Sequence, residues 1–378
     1  MESRVVKSEP KKICFVGLDN YPVINPDFGD RYIGGESVQQ TLLARAFRDR
    51  GYDVTMVVKD IGQPLSDEVI DGIRLLKTFR QTDGLPILRF IHPRMTSIFS
   101  ALSLANADIY YQSCAGTLTG YVANFCARRR RTFIFRVAHD TDCIPGEQLI
   151  RYRRDRMIYE YGLRRAHLVA AQGTHQQDLL KQHYRLDSTP INMTVEIPEL
   201  LTTNEKTIDV LWINNLRPFK CPELVLELAR KLPTVNFSMI GGPVVAHTDL
   251  YESVRKGANE LSNLTFHGQV PYHSVNNYIS SAKLFINTSE SEGFPNSFLQ
   301  AWARAVPVIS FFDPDGLIAK MRIGEVPKSI DEMAGHISTY LLDQEKTALT
   351  GQRSREFIVE NYGPAAVIEA YESEIFGN

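Results

Sequence analysis

Two doubly wound α/β domains are what this 378-residue sequence predicts. The first observation is a β-α-β opening. Ile13-Cys14-Phe15-Val16-Gly17-Leu18 is an unbroken apolar strand, Leu42, Leu43, Ala46 and Phe47 recur at helical spacing before Gly51, and Val54-Thr55-Met56-Val57-Val58 reads as the next strand. The second is that the same rhythm restarts at Ile208-Asp209-Val210-Leu211-Trp212-Ile213, followed by a polar loop and a helix opened by Pro222 with Leu224, Val225, Leu228 and Leu232 as its apolar stripe. The third is the run Lys283-Leu284-Phe285-Ile286-Asn287, a glycine turn at Gly293, and an apolar helix to about Arg304. Strands alternating with helices make parallel sheets covered on both faces, and this length suits two or three domains.

Further strands are expected at Ile109-Tyr110-Tyr111, 132–137 and His167-Leu168-Val169-Ala170, with a helix over 118–127. In the second half, strands are expected at the starts of 236–243 and 264–270 and at 306–310, a short helix near 275–279, and late helices at 330–342 and 352–360. Tyr362-Gly363-Pro364 interrupts the chain before a final helix to Phe376. Residues 190–207 carry Pro190, Pro198, Thr202, Thr203 and Asn204 with little periodicity and form the expected linker. The expected domains are 1–195, 205–360 and a returning helical segment, 361–378.

A formal charge of −2 argues against a nucleic-acid coat. The five cysteines have neither Cys-x-x-Cys spacing nor a dense framework, which suits reduced thiols in a cytoplasmic protein. The first twelve residues are polar, without the apolar core of a signal peptide, and no run approaches the ~18 apolar residues of a membrane span. Basic residues concentrate at Arg128 to Arg131, Arg136, and Arg151, Arg153, Arg154, Arg156, Arg164 and Arg165. Such clusters suit peripheral contact with anionic lipid at the inner membrane face, each basic residue adding about 1 kcal/mol.

The densest chemical information lies in Ser291-Glu292-Gly293-Phe294-Pro295-Asn296-Ser297-Phe298-Leu299-Gln300. Gly293 permits a tight turn, Pro295 stiffens it, and Asn296 or Ser297 can cap the helix, so free amides face the carboxyl end of the sheet, where a diphosphate is favoured. Glu292 and Gln300, eight positions apart, can reach one small ligand. Here the sequence resembles the retaining glycosyltransferases of family four, whose GT-B fold sets two Rossmann-like domains across a cleft with the C-terminal helix crossing back. Their signature is a glutamate, seven residues and a second glutamate. The resemblance implies that Glu292 contacts the donor sugar, that amides around Phe294, Pro295 and Asn296 hold sugar and diphosphate, and that Gln300 grips the ribose. Gln300 replaces the second carboxylate, which should weaken nucleotide binding by about 1 kcal/mol.

The same resemblance assigns Gly34-Gly35 to close approach of the donor diphosphate or the acceptor, and His139, in His139-Asp140, to the reacting face. It assigns Lys220, four positions after Leu216, to the leaving diphosphate. The usual arginine is replaced by Asn215; Arg217, two positions on, is a candidate to reach the same phosphates on its own position rather than by the resemblance. Gly241 belongs to a glycine turn like the family's Gly-x-Gly, and Gln269 and Val270 are base-contact candidates. Asp140-Thr141-Asp142 spells the cation-binding triplet of the other main glycosyltransferase fold, but two doubly wound halves argue against a metal. The expected function is retaining transfer from a UDP- or GDP-sugar to a glycan, lipid-linked or small-molecule acceptor, without further cofactor or nucleic-acid partner. The alternative is a non-catalytic sugar-nucleotide-binding or scaffold protein. No Gly-x-Gly-x-x-Gly follows the first strand, against a dinucleotide oxidoreductase. No side chain reads as a covalent nucleophile, leaving same-face and double-displacement routes open.

Overall fold

The computed structural model describes residues 11–28, 33–85, 90–199, 206–291 and 293–377. The chain divides into two compact units, residues 1–193 with 367–378, and residues 194–366. The first unit ends two residues before the expected limit of 195, and the second starts at 194 rather than 205 and ends at 366 rather than 360.

The first unit is built on an eight-stranded sheet. Its strands are β1 (Lys12–Val16), β2 (Asp53–Asp60), β3 (Asp67–Ile70), β4 (Ile73–Arg80), β5 (Ile109–Ser113), β6 (Thr132–Arg136), β7 (Leu168–Ala171) and β8 (Thr189–Pro190), in the order β3-β4-β2-β1-β5-β6-β7-β8. All neighbours are parallel except β3 and β4, an antiparallel hairpin closed by Asp71-Gly72 with φ of 52° and 69°. Both central turn residues have positive φ, the twist that Asp-Gly supplies at least strain. Alternation of side chains explains the continuous apolar runs: Ile13 and Phe15 enter one core, Cys14 and Val16 the other. Val367, Ile368 and Tyr371 of the Pro364–Phe376 helix complete the first of these cores.

The second unit carries a six-stranded parallel sheet of β9 (Ile208–Ile213), β10 (Phe237–Ile240), β11 (Leu264–Gly268), β12 (Ala282–Asn287), β13 (Val308–Ser310) and β14 (Gly324–Glu325), in the order β11-β10-β9-β12-β13-β14. Trp212, Val225, Leu228, Met239 and Ile337 share one core. Leu226, rather than Leu224, is buried with Val225 and Leu228 on the Glu223–Lys231 helix. On the Asn296–Ala303 helix, Phe298 packs against Phe285 and Trp302, at ring-centroid distances of 6.2 and 5.4 Å.

One expected element is corrected and one is added. The helix expected over 352–360 runs from Gln344 to Tyr362, because Asp343 caps it by accepting from the Lys346 amide at 2.9 Å. The stretch after β4, where the sequence offered little, contains a helix, Thr96–Ala105. At Gly363 the backbone breaks the helix, and a Cβ there would lie 2.5 Å from the Val359 carbonyl oxygen. Among the described residues, no helix is long and apolar enough to cross a membrane.

Candidate functional site

In a parallel sheet every strand delivers its outgoing loop to the same edge. In the second unit four such loops are tied together there. The Asn214 amide donates to the Ile240 carbonyl (3.1 Å), Leu216 to Gly242 (3.2 Å), Gly241 to Gly268 (2.9 Å) and Glu290 to Phe219 (2.9 Å). Gly241 is required by space: a Cβ would stand 2.5 Å from the Asn214 carbonyl oxygen. Gln269 is exposed beside Gly242, where an added Cβ would meet its Oε1 at 3.0 Å, and Val270 follows it, half-buried.

The cationic loop after β9 is held from below. The Trp212 indole N–H donates to Thr288 Oγ1 at 2.9 Å, and that hydroxyl donates to the Lys220 carbonyl at 2.8 Å. Trp212 and Thr288 are buried, so this chain of bonds acts in a low-dielectric setting where each is strengthened. Lys220 Nζ lies 4.9 Å from the Phe219 ring centroid. The side chain of Arg217, half-buried, has no hydrogen-bond or ion-pair partner among the described residues, and its carbonyl accepts from the Lys220 amide at 3.0 Å.

Thr288 and Glu290 lie just ahead of the motif turn, so the lysine loop and the turn are neighbours. Glu292 itself lies outside the described residues. Phe294 packs against Tyr362 with centroids 5.5 Å apart. Pro295 sits at the start of the Asn296–Ala303 helix, and neither Asn296 nor Ser297 occupies the cap position, where no side-chain bond is made. Gln300 lies one turn in and half-buried. The far end of this helix is satisfied by cations: Arg304 Nη1 reaches the Gln300 carbonyl at 3.1 Å, and Arg355 Nη1 the Ala303 carbonyl. Positive charge is thus collected at the helix carboxyl end, where the macrodipole favours it.

In the first unit, Gly34 precedes the Gly35–Asp49 helix with φ −86° and ψ 150°, open to any residue, so its role is not conformational. His139 is exposed after β6. Its Nδ1 accepts from the Thr141 amide at 3.3 Å, and its own amide donates to Asp142 Oδ2 at 3.2 Å.

Sequence reasoning missed four polar positions. Asn287, the last residue of β12, and Thr288 and Ser289 after it are buried, and a polar run at a strand's carboxyl end was the available signal. Glu36, in the first turn of the Gly35–Asp49 helix, has an Oε1 shut from solvent without a hydrogen-bond partner. Burial pushes its carboxyl up to about 7, against the opposing pull of Ser113 and Arg136.

Two family models divide the chain between them: "Glycosyltransferase Family 4" matches residues 33–193 and "Glycosyl transferases group 1" matches residues 195–357. The chain belongs to the GT-B glycosyltransferases of this type. The O-antigen biosynthesis glycosyltransferase WbnH of Escherichia coli is 26% identical over 199 residues, 50% of this chain and 53% of that protein. The chain therefore spans about half the length of the curated relatives it matches. Sucrose-phosphate synthase from Thermosynechococcus elongatus superposes with a TM-score of 0.75 at 17% identity, over 97% of this chain and 99% of that one. Anabaena HepE, in complex with UDP and glucose, gives 0.71 at 16% identity, over 97% and 100%. These likenesses establish the fold.

In this GT-B glycosyltransferase the Asp140-Thr141-Asp142 triplet is built into the backbone. Asp142, buried, takes the Ala138 and His139 amides, each at 3.2 Å, and Asp140 takes Gln176 Nε2 at 3.0 Å. The two carboxylates are thereby committed to different partners.

Proposed function

We infer that the protein transfers a glycosyl group, with retention of anomeric configuration, from a UDP- or GDP-sugar to a glycan, lipid-linked or small-molecule acceptor. The observation that carries this is the joining of the lysine loop to the turn before the Asn296–Ala303 helix, through Thr288 to Lys220 and Glu290 to Phe219. A diphosphate set between them meets a mobile ammonium, a planar guanidinium and the amino end of a helix, the groups that offset negative charge as the leaving group departs. In this reading Lys220 and Arg217 stabilise the diphosphate, Phe294, Pro295 and Asn296 line its helix, and Gly241 lets the donor come close. Glu292 holds the sugar, Gln300 the ribose, and Gln269 and Val270 the base. Gly34 and Gly35 serve the first unit's approach to substrate, and His139 orients the acceptor hydroxyl.

The UDP and glucose in the HepE complex make UDP-glucose the first donor to try. A panel of UDP-, GDP- and ADP-sugars scored for thermal stabilisation and slow hydrolysis tests the reading, since a non-catalytic scaffold would be stabilised without hydrolysing any of them. The proposed location is the cytoplasm, peripheral at the inner membrane face. Arg128, Arg129, Arg130, Arg151, Arg153 and Arg154 are exposed, as anionic-lipid contact requires.

A further inference from the structure

The first unit has a cavity of about 740 Å³ to which no role has been given above. It opens at the carboxyl edge of the first sheet, walled by Leu18 and Asp19 after β1, Lys59 in β2, Phe79 at the end of β4, and Thr117 and Leu118 beyond β5. The chain leaves β1 toward β2 on one side, and β5 lies on the other. The cavity therefore sits where strand order reverses, the place at which doubly wound sheets take ligands. Its volume falls in the ordinary range of about 300–1,000 Å³ for small-molecule sites.

The lining is cationic and aromatic at once. Among the described residues, four cations, Lys59, Arg94, Arg153 and Arg154, face two carboxylates, Asp19 and Asp155. Both carboxylates are already engaged, Asp19 by Lys59 at 2.7 Å and Asp155 by Arg154 at 2.7 Å. Among the described residues, Arg94 and Arg153 have no carboxylate partner. Arg94 Nη2 reaches only the Gln81 carbonyl at 3.2 Å, and its Nε is buried without any acceptor. An unpaired buried guanidinium N–H is costly and invites an anion.

The apolar wall excludes a bare anion as the whole ligand. Arg154 lies over the Phe90 ring at 4.4 Å and Arg94 over Phe79 at 5.5 Å, which presents the cations on aromatic faces. Tyr152 at the rim is 56% exposed, and on the same basic segment Leu149 and Met157 are 87% and 64% exposed. A neutral sugar would leave Arg94 unanswered, and free phosphate would leave the rings unused. We propose that this cavity is an acceptor subsite for a phosphate or diphosphate ester with an apolar tail, its phosphate on Arg94 and Arg153 and its tail on Phe79, Phe90 and Tyr152. The assignment rests on the glycosyltransferase reading above and names its acceptor class.

Calorimetric titration with dodecyl phosphate below its micellar concentration tests it, beside dodecyl maltoside and inorganic phosphate, with donor-sugar stabilisation measured in parallel. The wild-type chain should bind dodecyl phosphate at one site, at least tenfold tighter than either control. The Arg94→Gln/Arg153→Gln double variant should lose at least tenfold of that affinity and keep its donor response. Thr117→Trp, which fills the cavity without removing charge, should block dodecyl phosphate even if the double variant fails to fold. Equal binding of dodecyl maltoside, or binding unaffected by either variant, overturns the assignment. Phosphatidylglycerol vesicles separate a bulk headgroup from a discrete ester: displacement of dodecyl phosphate by them, with sedimentation reduced in the double variant, would assign the arginines to the membrane surface and also overturn it. Failure of the glycosyltransferase reading looks different, as absence of any donor response in the wild type while dodecyl phosphate still binds.

Discussion

The two units solve the same folding problem with different amounts of added structure. In the second unit the loops after β9, β10, β11 and β12 are short enough to be stitched to one another by main-chain bonds, and the candidate donor residues sit on those stitches. In the first unit the β3–β4 hairpin and the helices at Thr96–Ala105 and Arg153–Leu163 enlarge one side of the sheet edge and leave a cavity there. The lesson is that a tight edge fixes a nucleotide by backbone geometry, whereas an open one selects its ligand by side-chain chemistry. Substitutions in the second unit should therefore impair the donor, and those in the first should impair the acceptor.

The largest break should come from Lys220→Ala. Removing a preorganised cation from the leaving group should lower turnover by roughly 10²–10³-fold, measured as donor hydrolysis or transfer, with dodecyl phosphate binding unchanged. Unaltered donor affinity and turnover would remove Lys220 from the phosphate site. Thr288→Val takes the acceptor from the Trp212 indole and the hydroxyl donor from the Lys220 carbonyl. It should cost about 1–3 kcal/mol in urea denaturation followed by tryptophan fluorescence, since both tryptophans, Trp212 and Trp302, lie in the second unit. A smaller loss would mean that the indole–hydroxyl–carbonyl chain does not hold the loop.

In the first unit the sharpest probe is pH. Glu36, raised to about 7 chiefly by burial, retains its proton in the folded state at pH values where the unfolded chain has released it. Its contribution is complete below the ordinary carboxylate range and is lost as pH climbs through about 7, at no more than about 1.4 kcal/mol per pH unit. Melting temperature should therefore decline over that interval, and Glu36→Gln should flatten the decline. A wild-type profile that rises from pH 5 to 7 and is unchanged by the substitution would contradict this. The smallest effect is expected from Gln300→Glu, which restores a charged ribose acceptor and should tighten UDP binding by about 1 kcal/mol, near fivefold.

Much of the second unit was legible in the sequence because its strands are buried on both faces and read as apolar runs, and because Gly241, Pro222 and the Gly293 turn punctuate them. What stayed illegible was burial of polar residues. Thr288-Ser289 reads as solvent-facing loop, yet both are buried, as is Asn287 at the end of the strand before them. In the first unit the Asp71-Gly72 pair was a readable hairpin signal between β3 and β4, and its flanking residues alternate too weakly to mark the strands. Arginine clustering at 151–165 was plain. That Arg94, some sixty positions earlier, lines the same cavity as Arg153 and Arg154 follows only from the sheet's order.

The central claim is that the second unit grips a nucleotide sugar by its diphosphate between the lysine loop and the Asn296–Ala303 helix. Titration of UDP-glucose and GDP-mannose into wild type and Lys220→Ala tests it most directly. The account expects one of the two donors to bind the wild type at a single site and to bind the variant at least tenfold more weakly. Equal affinity for both proteins, or no binding of any UDP-, GDP- or ADP-sugar to the wild type, would contradict it.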